Sequence, residues 1–268
     1  MAFLVGSKGI GTPTWGHSLK VDPYLWSSKL SFLYDIDYLR NIENLYGNEV
    51  LKQYILEKLK AIDKFDDCLV ITDFTQSEEL EFTTALVVDD DATIERTNDE
   101  LKITITTSSV SGRRYAWVYK DFSTEQSKLF FSCVVVPGPY HTTCEAGNDT
   151  GAAIWKADCY EIWIPIYASN SDFRIAKFID QGDFTIATES VNLSKGTPYK
   201  VAGYFDVSNH IQKAWRESKL IDLSSPTLSA TDTELTTIKT FRLRADTRNT
   251  STTETYIWKV PLIVAWKS

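Results

Sequence analysis

A long series of short β-type segments, each closed by a polar turn, limits the fold of this chain more than any other feature. In residues 101–106, apolar Leu and Ile alternate with polar Lys and Thr, the period-two pattern of a half-exposed strand. Segments with strand composition follow at 115–122, 129–136, 160–167, 173–179, 184–187, 199–205, 211–215, 240–245 and 256–264. Turn residues such as Pro137-Gly138-Pro139 separate them, and no helical pattern intervenes. Residues 67–268 are therefore predicted to form one mainly β domain, a two-sheet antiparallel sandwich.

The first 66 residues do not follow this pattern and divide into two parts. In residues 1–30, glycine and proline recur among aromatic residues, so we expect an extended Gly/Pro-rich arm that docks on a partner or on its own domain. In residues 31–66, apolar residues recur at helical spacing and are interrupted at Gly47-Asn48. This predicts a helical hairpin or connector, which either packs on the sandwich or joins copies of the chain.

Four stretches, in order along the chain, resemble the concanavalin A-like, laminin-G-like superfamily of lectins and glucanases. They are residues 71–74, 92–104, 199–221 and 255–260. The resemblance covers about residues 69–268 and implies a jelly roll whose first and last strands lie together. Glu217-Ser218 and Trp258-Lys259 replace an Asp-Gly turn and an Asp-Asn pair of the family pattern, so no calcium or ligand role is carried over to those positions.

Charge and hydropathy exclude several partners. The net charge is -8 and the pI is near 5.0, which argues against nucleic-acid binding because phosphate affinity needs clustered Lys and Arg. No stretch is long and apolar enough to predict a membrane span. The start of the chain lacks the pattern of a secretory signal. We therefore expect that the mature chain is given, that export uses no such signal, or that the protein is made and assembled inside a cell.

No metal or cofactor site is predicted. The acidic run at Asp89, Asp90 and Asp91 is interpreted as a solvated turn, and calcium there is an unsupported alternative. The cysteines have no zinc-type spacing. They are Cys68, Cys133, Cys144 and Cys159. A disulfide from Cys144 to Cys133 or Cys159 and four free thiols both remain open.

The sequence also predicts no catalytic site. Glycoside hydrolases on this fold need two carboxylates on one side of a cleft. The nearest candidates, Asp158 and Glu161, are three residues apart and would point to opposite faces of a regular strand. No G-x-S-x-G elbow and no phosphate-binding glycine loop occurs.

Sugar binding fits better, because lectin-like sandwiches stack aromatic rings on sugars and use amides and carboxylates for the hydroxyls. The candidate residues are Tyr140, Asn148, Asp149, Trp155, Asp158, Trp163 and Trp215. The long polar loop at 137–151 suits a binding loop. Core packing is the alternative for each aromatic ring. N-glycosylation sequons at Asn148, Asn192 and Asn249 lend weak support to a surface or extracellular location.

Two hypotheses about function follow. The first is a non-enzymatic structural or attachment protein at a virion or extracellular surface, which self-associates, or joins other subunits, through the arm and helices. The alternative is a secreted or cell-surface carbohydrate-binding lectin module, or a glycoside hydrolase on the same fold. Between the two, an apolar arm on a flat polar sandwich would favour assembly, and an aromatic-lined concave face would favour a lectin.

Overall fold

A computed structural model describes residues 30–75, 82, 92–107, 114–152, 158–166, 171–179, 182–216, 225–248 and 251–268. The helical elements among them are a 3₁₀ helix at Leu30–Tyr34, α1 at Ile36–Tyr46 and α2 at Asn48–Leu59. The strands are β1 Asp67–Ile71, β2 Ala92–Arg96, β3 Glu100–Thr106, β4 Arg114–Gln126, β5 Lys128–Val136, β6 Tyr140–Gly147, β7 Cys159–Ile166, β8 Asp172–Ile179, β9 Gly182–Ser190, β10 Tyr199–Asp206, β11 Ile211–Arg216, β12 Leu228–Thr231, β13 Ile238–Thr247 and β14 Thr253–Lys267. The predicted arm, apart from Leu30, and the acidic run at 89–91 lie outside the described residues.

The strands form two sheets, which confirms the predicted antiparallel sandwich. One sheet has the order β12-β11-β10-β5-β14-β3-β2, with β1 added beside β14, and the other has the order β4-β13-β6-β7-β8-β9. The first and last strands pair, as expected, with Leu69 opposite Val264. The part of β14 that pairs with β1 is 262–266, whereas residues 255–259 of the predicted stretch pair with β3.

An inter-sheet core fills the space between the two sheets. Alternation in β3 sends Leu101, Ile103 and Ile105 into this core, while the residues between them remain half-buried. The rings of Phe131 and Phe241, one from each sheet, lie 5.4 Å apart there. Burial of such rings is the main stabilising contribution of a sandwich core.

A second, helix-sheet core lies on the outer face of the larger sheet. Leu39 and Ile42 from α1 and Leu51 and Ile55 from α2 are at most 5% exposed and belong to the same cluster as Phe130 of β5. Strand β1 is consequently buried on both faces from its second residue onward. The helical region therefore packs on the chain's own sheet. Within the described part of the chain, no helix has the length and apolar character needed to cross a bilayer.

Polar contacts fix the orientation of the helices on the sheet. Arg40 of α1 donates to the Thr72 carbonyl at 2.8 Å and to the Asn98 carbonyl at 2.9 Å, which joins the helix to the ends of two strands. Gly47 has φ +86°, a left-handed conformation that side chains disfavour, and its amide donates to the Glu43 carbonyl at 2.7 Å. The chain can therefore end α1 and begin α2 within one residue.

Candidate functional site

The β6–β7 hairpin carries most of the residues that the sequence indicates for sugar binding. Its strands pair from Tyr140 opposite Ile166 to Gly147 opposite Cys159. Asn148 and Asp149 follow β6 directly, and the Asn148 amide donates to the Asp158 carbonyl at 3.0 Å. These three predicted residues therefore meet at one end of the hairpin.

Of the predicted aromatic residues, Tyr140 and Trp215 lie away from this end of the hairpin. Tyr140 lies at the opposite end of β6, where its ring stacks on His141 at 3.8 Å and the Arg248 guanidinium lies 4.8 Å from its centroid. Trp163 lies inside β7, opposite Thr143 of β6. Trp155 lies outside the described residues.

The prediction that Trp215 contributes to sugar binding is wrong. This residue lies on β11, is 1% exposed and packs in the helix-sheet core with Phe130 and Ile263. A buried ring has no face available to stack on a sugar. The sequence prediction missed this because the outer face of the sheet is covered by helices from a distant part of the chain.

An open groove of about 360 Å³ lies beside the turn after β6. Its lining residues are Asp121, Phe122, Ser123, Thr124, Glu125, Asp149, Thr150 and Lys239. They come from the end of β4, from the turn after β6 and from the start of β13. Strands β4 and β13 pair with each other in the smaller sheet. Asp149, which the sequence indicated, is exposed here, and Thr150 beside it is exposed as well.

Alternate residues of β4 hold this turn in place. The Asp121 carboxylate accepts from the Gly151 amide at 2.6 Å and from the Thr150 hydroxyl at 2.7 Å. The Trp117 indole donates to the Gly151 carbonyl at 2.7 Å. A Cβ atom at Gly151 would lie 2.1 Å from the Tyr119 side chain, so only glycine fits this contact. Hydrogen bonds to Asp121 and Trp117 and close packing against Tyr119 thus hold the turn in place.

A buried ion network lies on the outer side of the same sheet. Glu145 of β6 is opposite Arg242 of β13 and Glu161 of β7. Its carboxylate contacts the Arg242 Nε at 2.8 Å and the Arg244 Nη1 at 3.5 Å, and it accepts from the Thr143 hydroxyl at 2.8 Å. Burial alone would raise the pKa of Glu145, but the two guanidinium groups and this hydrogen bond hold it below its ordinary value.

Three possible metal ligands lie within this network. One ligand atom from each of Glu145, Cys159 and Glu161 lies within 4.8 Å of the others. Two features oppose a cation there: Arg242 and Arg244 already neutralise Glu145, and burial raises the pKa of the Cys159 thiol, so the thiolate that binds metals is disfavoured. The arrangement is that of a buried ion-paired network.

Sequence reasoning missed most of the groove, and within this network it named only Cys159 and Glu161. A signal for the network is present, because polar residues alternate with apolar ones in 143–146 and in 242–246. Such alternation of ionisable residues indicates a polar sheet face rather than a second core. No comparable signal marks Asp121 or Lys239, since their meeting depends on strand register.

No protein-family model matches this sequence, and no curated protein matches it. Among solved structures, the lectin UEA-II complexed with galactose matches with a TM-score of 0.51 and 9% identity, covering 76% of this chain and 100% of that chain. Lectin II from Ulex europaeus matches with a TM-score of 0.50 and 10% identity over the same shares. A sialidase matches at 12% identity with a TM-score of 0.46, over 72% of this chain and only 18% of its own length. At these identities the likeness concerns architecture, and the sandwich has the concanavalin A-like jelly-roll fold of these lectins.

Proposed function

We propose that this protein is a non-enzymatic carbohydrate-binding protein and that its glycan site is the groove beside the turn at 148–152. The observation that carries the proposal is the fixed turn, which presents a carboxylate and a hydroxyl to an open groove on a lectin-type fold. A site whose loop is already ordered loses little conformational entropy on binding.

The groove has the chemistry that a sugar ring needs. The Asp149 carboxylate can accept from sugar hydroxyls, and the Ser123 and Thr124 hydroxyls can donate or accept. Phe122, whose ring lies 5.0 Å from that of Trp266, adds an apolar surface for the C–H face of the sugar. The volume lies within the usual range for small-molecule sites.

The charges of the groove favour neutral sugars over anionic ones. Its lining holds three carboxylates, those of Asp121, Glu125 and Asp149, and one ammonium group, that of Lys239. Lys239 lies 3.3 Å from Glu125 and is thereby neutralised. A sialylated, sulfated or uronic acid-rich glycan would meet uncompensated negative charge here.

A glycan array with the full chain, followed by calorimetric titration of the best ligand, tests the proposal. Replacing Asp149→Asn keeps the size of the side chain and removes its charge, so we expect affinity to fall roughly 10–100-fold, the effect of losing a charged hydrogen bond. The matched control is Asp37→Asn, which removes an exposed carboxylate in the first turn of α1 and should leave affinity unchanged. An array without any bound glycan, or equal effects of the two substitutions, would refute the proposal.

The predicted structural role at a virion or extracellular surface stays a prediction. The helical region, which was predicted as a hairpin or a connector between copies, packs on the chain's own sheet, and residues 1–29 of the predicted arm lie outside the described part of the chain. Light scattering of the full chain at high concentration separates the two roles. A monomer that binds glycans supports the lectin, and a large particle that binds none supports assembly.

A further inference from the structure

Two cysteines face each other across the inter-sheet core. Cys133 lies on β5 of the larger sheet and Cys144 on β6 of the smaller sheet, and their Sγ atoms are 4.0 Å apart. Both are at most 2% exposed. The two strands follow one another in the chain, so this pair lies where a short connection passes from one sheet to the other.

The other two cysteines lie in different surroundings. Cys68 is part of the helix-sheet core, where its thiol contacts the Lys52 carbonyl at 3.6 Å. The Cys159 thiol contacts the Glu161 carboxylate at 3.6 Å, within the buried ion network. The fold thus brings together one specific pair out of several that the sequence allows.

We propose that Cys133 and Cys144 form an inter-sheet disulfide when the chain folds in the presence of a disulfide oxidant such as oxidised glutathione. One cysteine thiolate attacks a glutathione sulfur, and the glutathione S–S bond breaks, giving a mixed disulfide and one glutathione thiolate. The second cysteine thiolate then attacks the protein sulfur of the mixed disulfide and releases the second glutathione. Two protein thiols are oxidised, one glutathione disulfide is reduced, and two protons leave with the glutathione thiols.

The two sulfurs must move towards each other before a disulfide can form. A disulfide has an S–S length of about 2.0 Å, so from 4.0 Å they must approach by roughly 2 Å. Burial raises the pKa of Cys144, and the thiolate is the reacting species, so the folded dithiol should react slowly. The bond should therefore form during folding, while the thiols are open to solvent, and resist reduction afterwards.

The disulfide would tie the two sheets together. Cross-linking residues 133 and 144 closes a short loop and restricts the unfolded chain, the source usually given for disulfide stabilisation. For a domain of this size we expect the melting temperature of the oxidised protein to exceed that of the reduced protein by roughly 5–10 °C.

The experiment refolds the full chain from denaturant with oxidised glutathione or with dithiothreitol, blocks remaining thiols by alkylation, and maps the peptides by mass. The expected oxidised product has lost two hydrogen atoms, carries alkyl groups on Cys68 and Cys159 only, and melts at the higher temperature. The Cys68→Ser/Cys159→Ser variant should keep the temperature difference, and Cys133→Ala should abolish it.

Peptide mapping on the unsubstituted chain keeps the test decisive if a variant fails to fold. Four alkylated cysteines after oxidative refolding would overturn the proposal, and so would a disulfide that includes Cys68 or Cys159. Rapid, complete oxidation of the folded dithiol protein would overturn the inference that the bond forms only during folding.

Discussion

A partly buried charge cluster joins the segment after α2 to the larger sheet, and it allows a quantitative prediction. Lys128 of β5 pairs with Asp63 and lies 3.3 Å from the Asp206 carboxylate. The Asp206 carboxylate also accepts from the Ser208 hydroxyl at 2.7 Å and from the backbone amide of Asn209 at 3.0 Å. Burial by itself raises the pKa of Asp206, but these bonds and Lys128 together lower it to about 2.

Replacing Asp206→Asn keeps the shape of the side chain and removes its charge. The pKa of Asp206 is 3.8 in its ordinary state and about 2 in the fold, a difference that corresponds to about 2 kcal/mol of folding free energy. Because the folded pKa is the lower one, this stabilisation is present above about pH 4. It is lost as the pH falls through the folded pKa of about 2, where the carboxyl group is already protonated in the unfolded state and is half protonated in the fold.

Urea unfolding at pH 7, 5, 3 and 2 measures this effect. The variant should be about 2 kcal/mol less stable than the parent chain at pH 7 and 5, and the gap should narrow at pH 3 and nearly close at pH 2. Glu49→Gln is the matched control, since Glu49 is 83% exposed and its loss should change stability by at most about 0.5 kcal/mol. A gap that is absent at pH 7, or equal at pH 7 and pH 2, would contradict the assigned role of Asp206.

Three further substitutions test the two cores and the turn. Leu51→Ala should cost about 2–5 kcal/mol in urea unfolding and keep a single transition, because Leu51 is fully buried in the helix-sheet core. Tyr160→Phe should cost about 1 kcal/mol, because it removes the hydroxyl that donates to the Asp232 carboxylate at 2.8 Å. Trp117→Phe should weaken glycan binding several-fold in the same calorimetric titration, because it removes the indole bond to Gly151 without changing a group that lines the groove. Unchanged stability in the first two cases, or unchanged affinity in the third, would contradict these assignments.

The sequence predicts the fold well where each strand has one buried and one exposed face. Strand β3 is such a case, and its alternation identifies the residues that enter the inter-sheet core. Strand β1 is buried on both faces, so its apolar run at 68–71 has no alternation and predicts a strand without indicating which side is covered. The packing of the helices on this strand could not be decided from their own pattern, because an apolar stripe is equally suited to a sheet or to a second copy.

The candidate site was predictable only in part, for a related reason. Asn148 and Asp149 could be selected because a polar loop after a strand is a common place for a binding site. Their partners in the groove come from strands far away in the sequence, and the register that places Thr240 opposite Asp121 is a property of the folded sheet. Trp215 shows the converse error, since an aromatic residue has the same sequence signature whether it lines a site or fills a core.

The outer face of the smaller sheet supports the proposed glycan site. The outer residues of β4 hold the turn through Trp117 and Asp121, and the neighbouring β13 and β6 carry the buried ion pairs beside them. Such a face cannot shift by one residue, because Glu145 would then enter the apolar inter-sheet core without its guanidinium partners. The ion network therefore fixes the register of the sheet, and the register places Thr240 opposite Asp121, at the groove that Asp149 and Lys239 also line. On this argument the groove depends on residues that a glycan never touches.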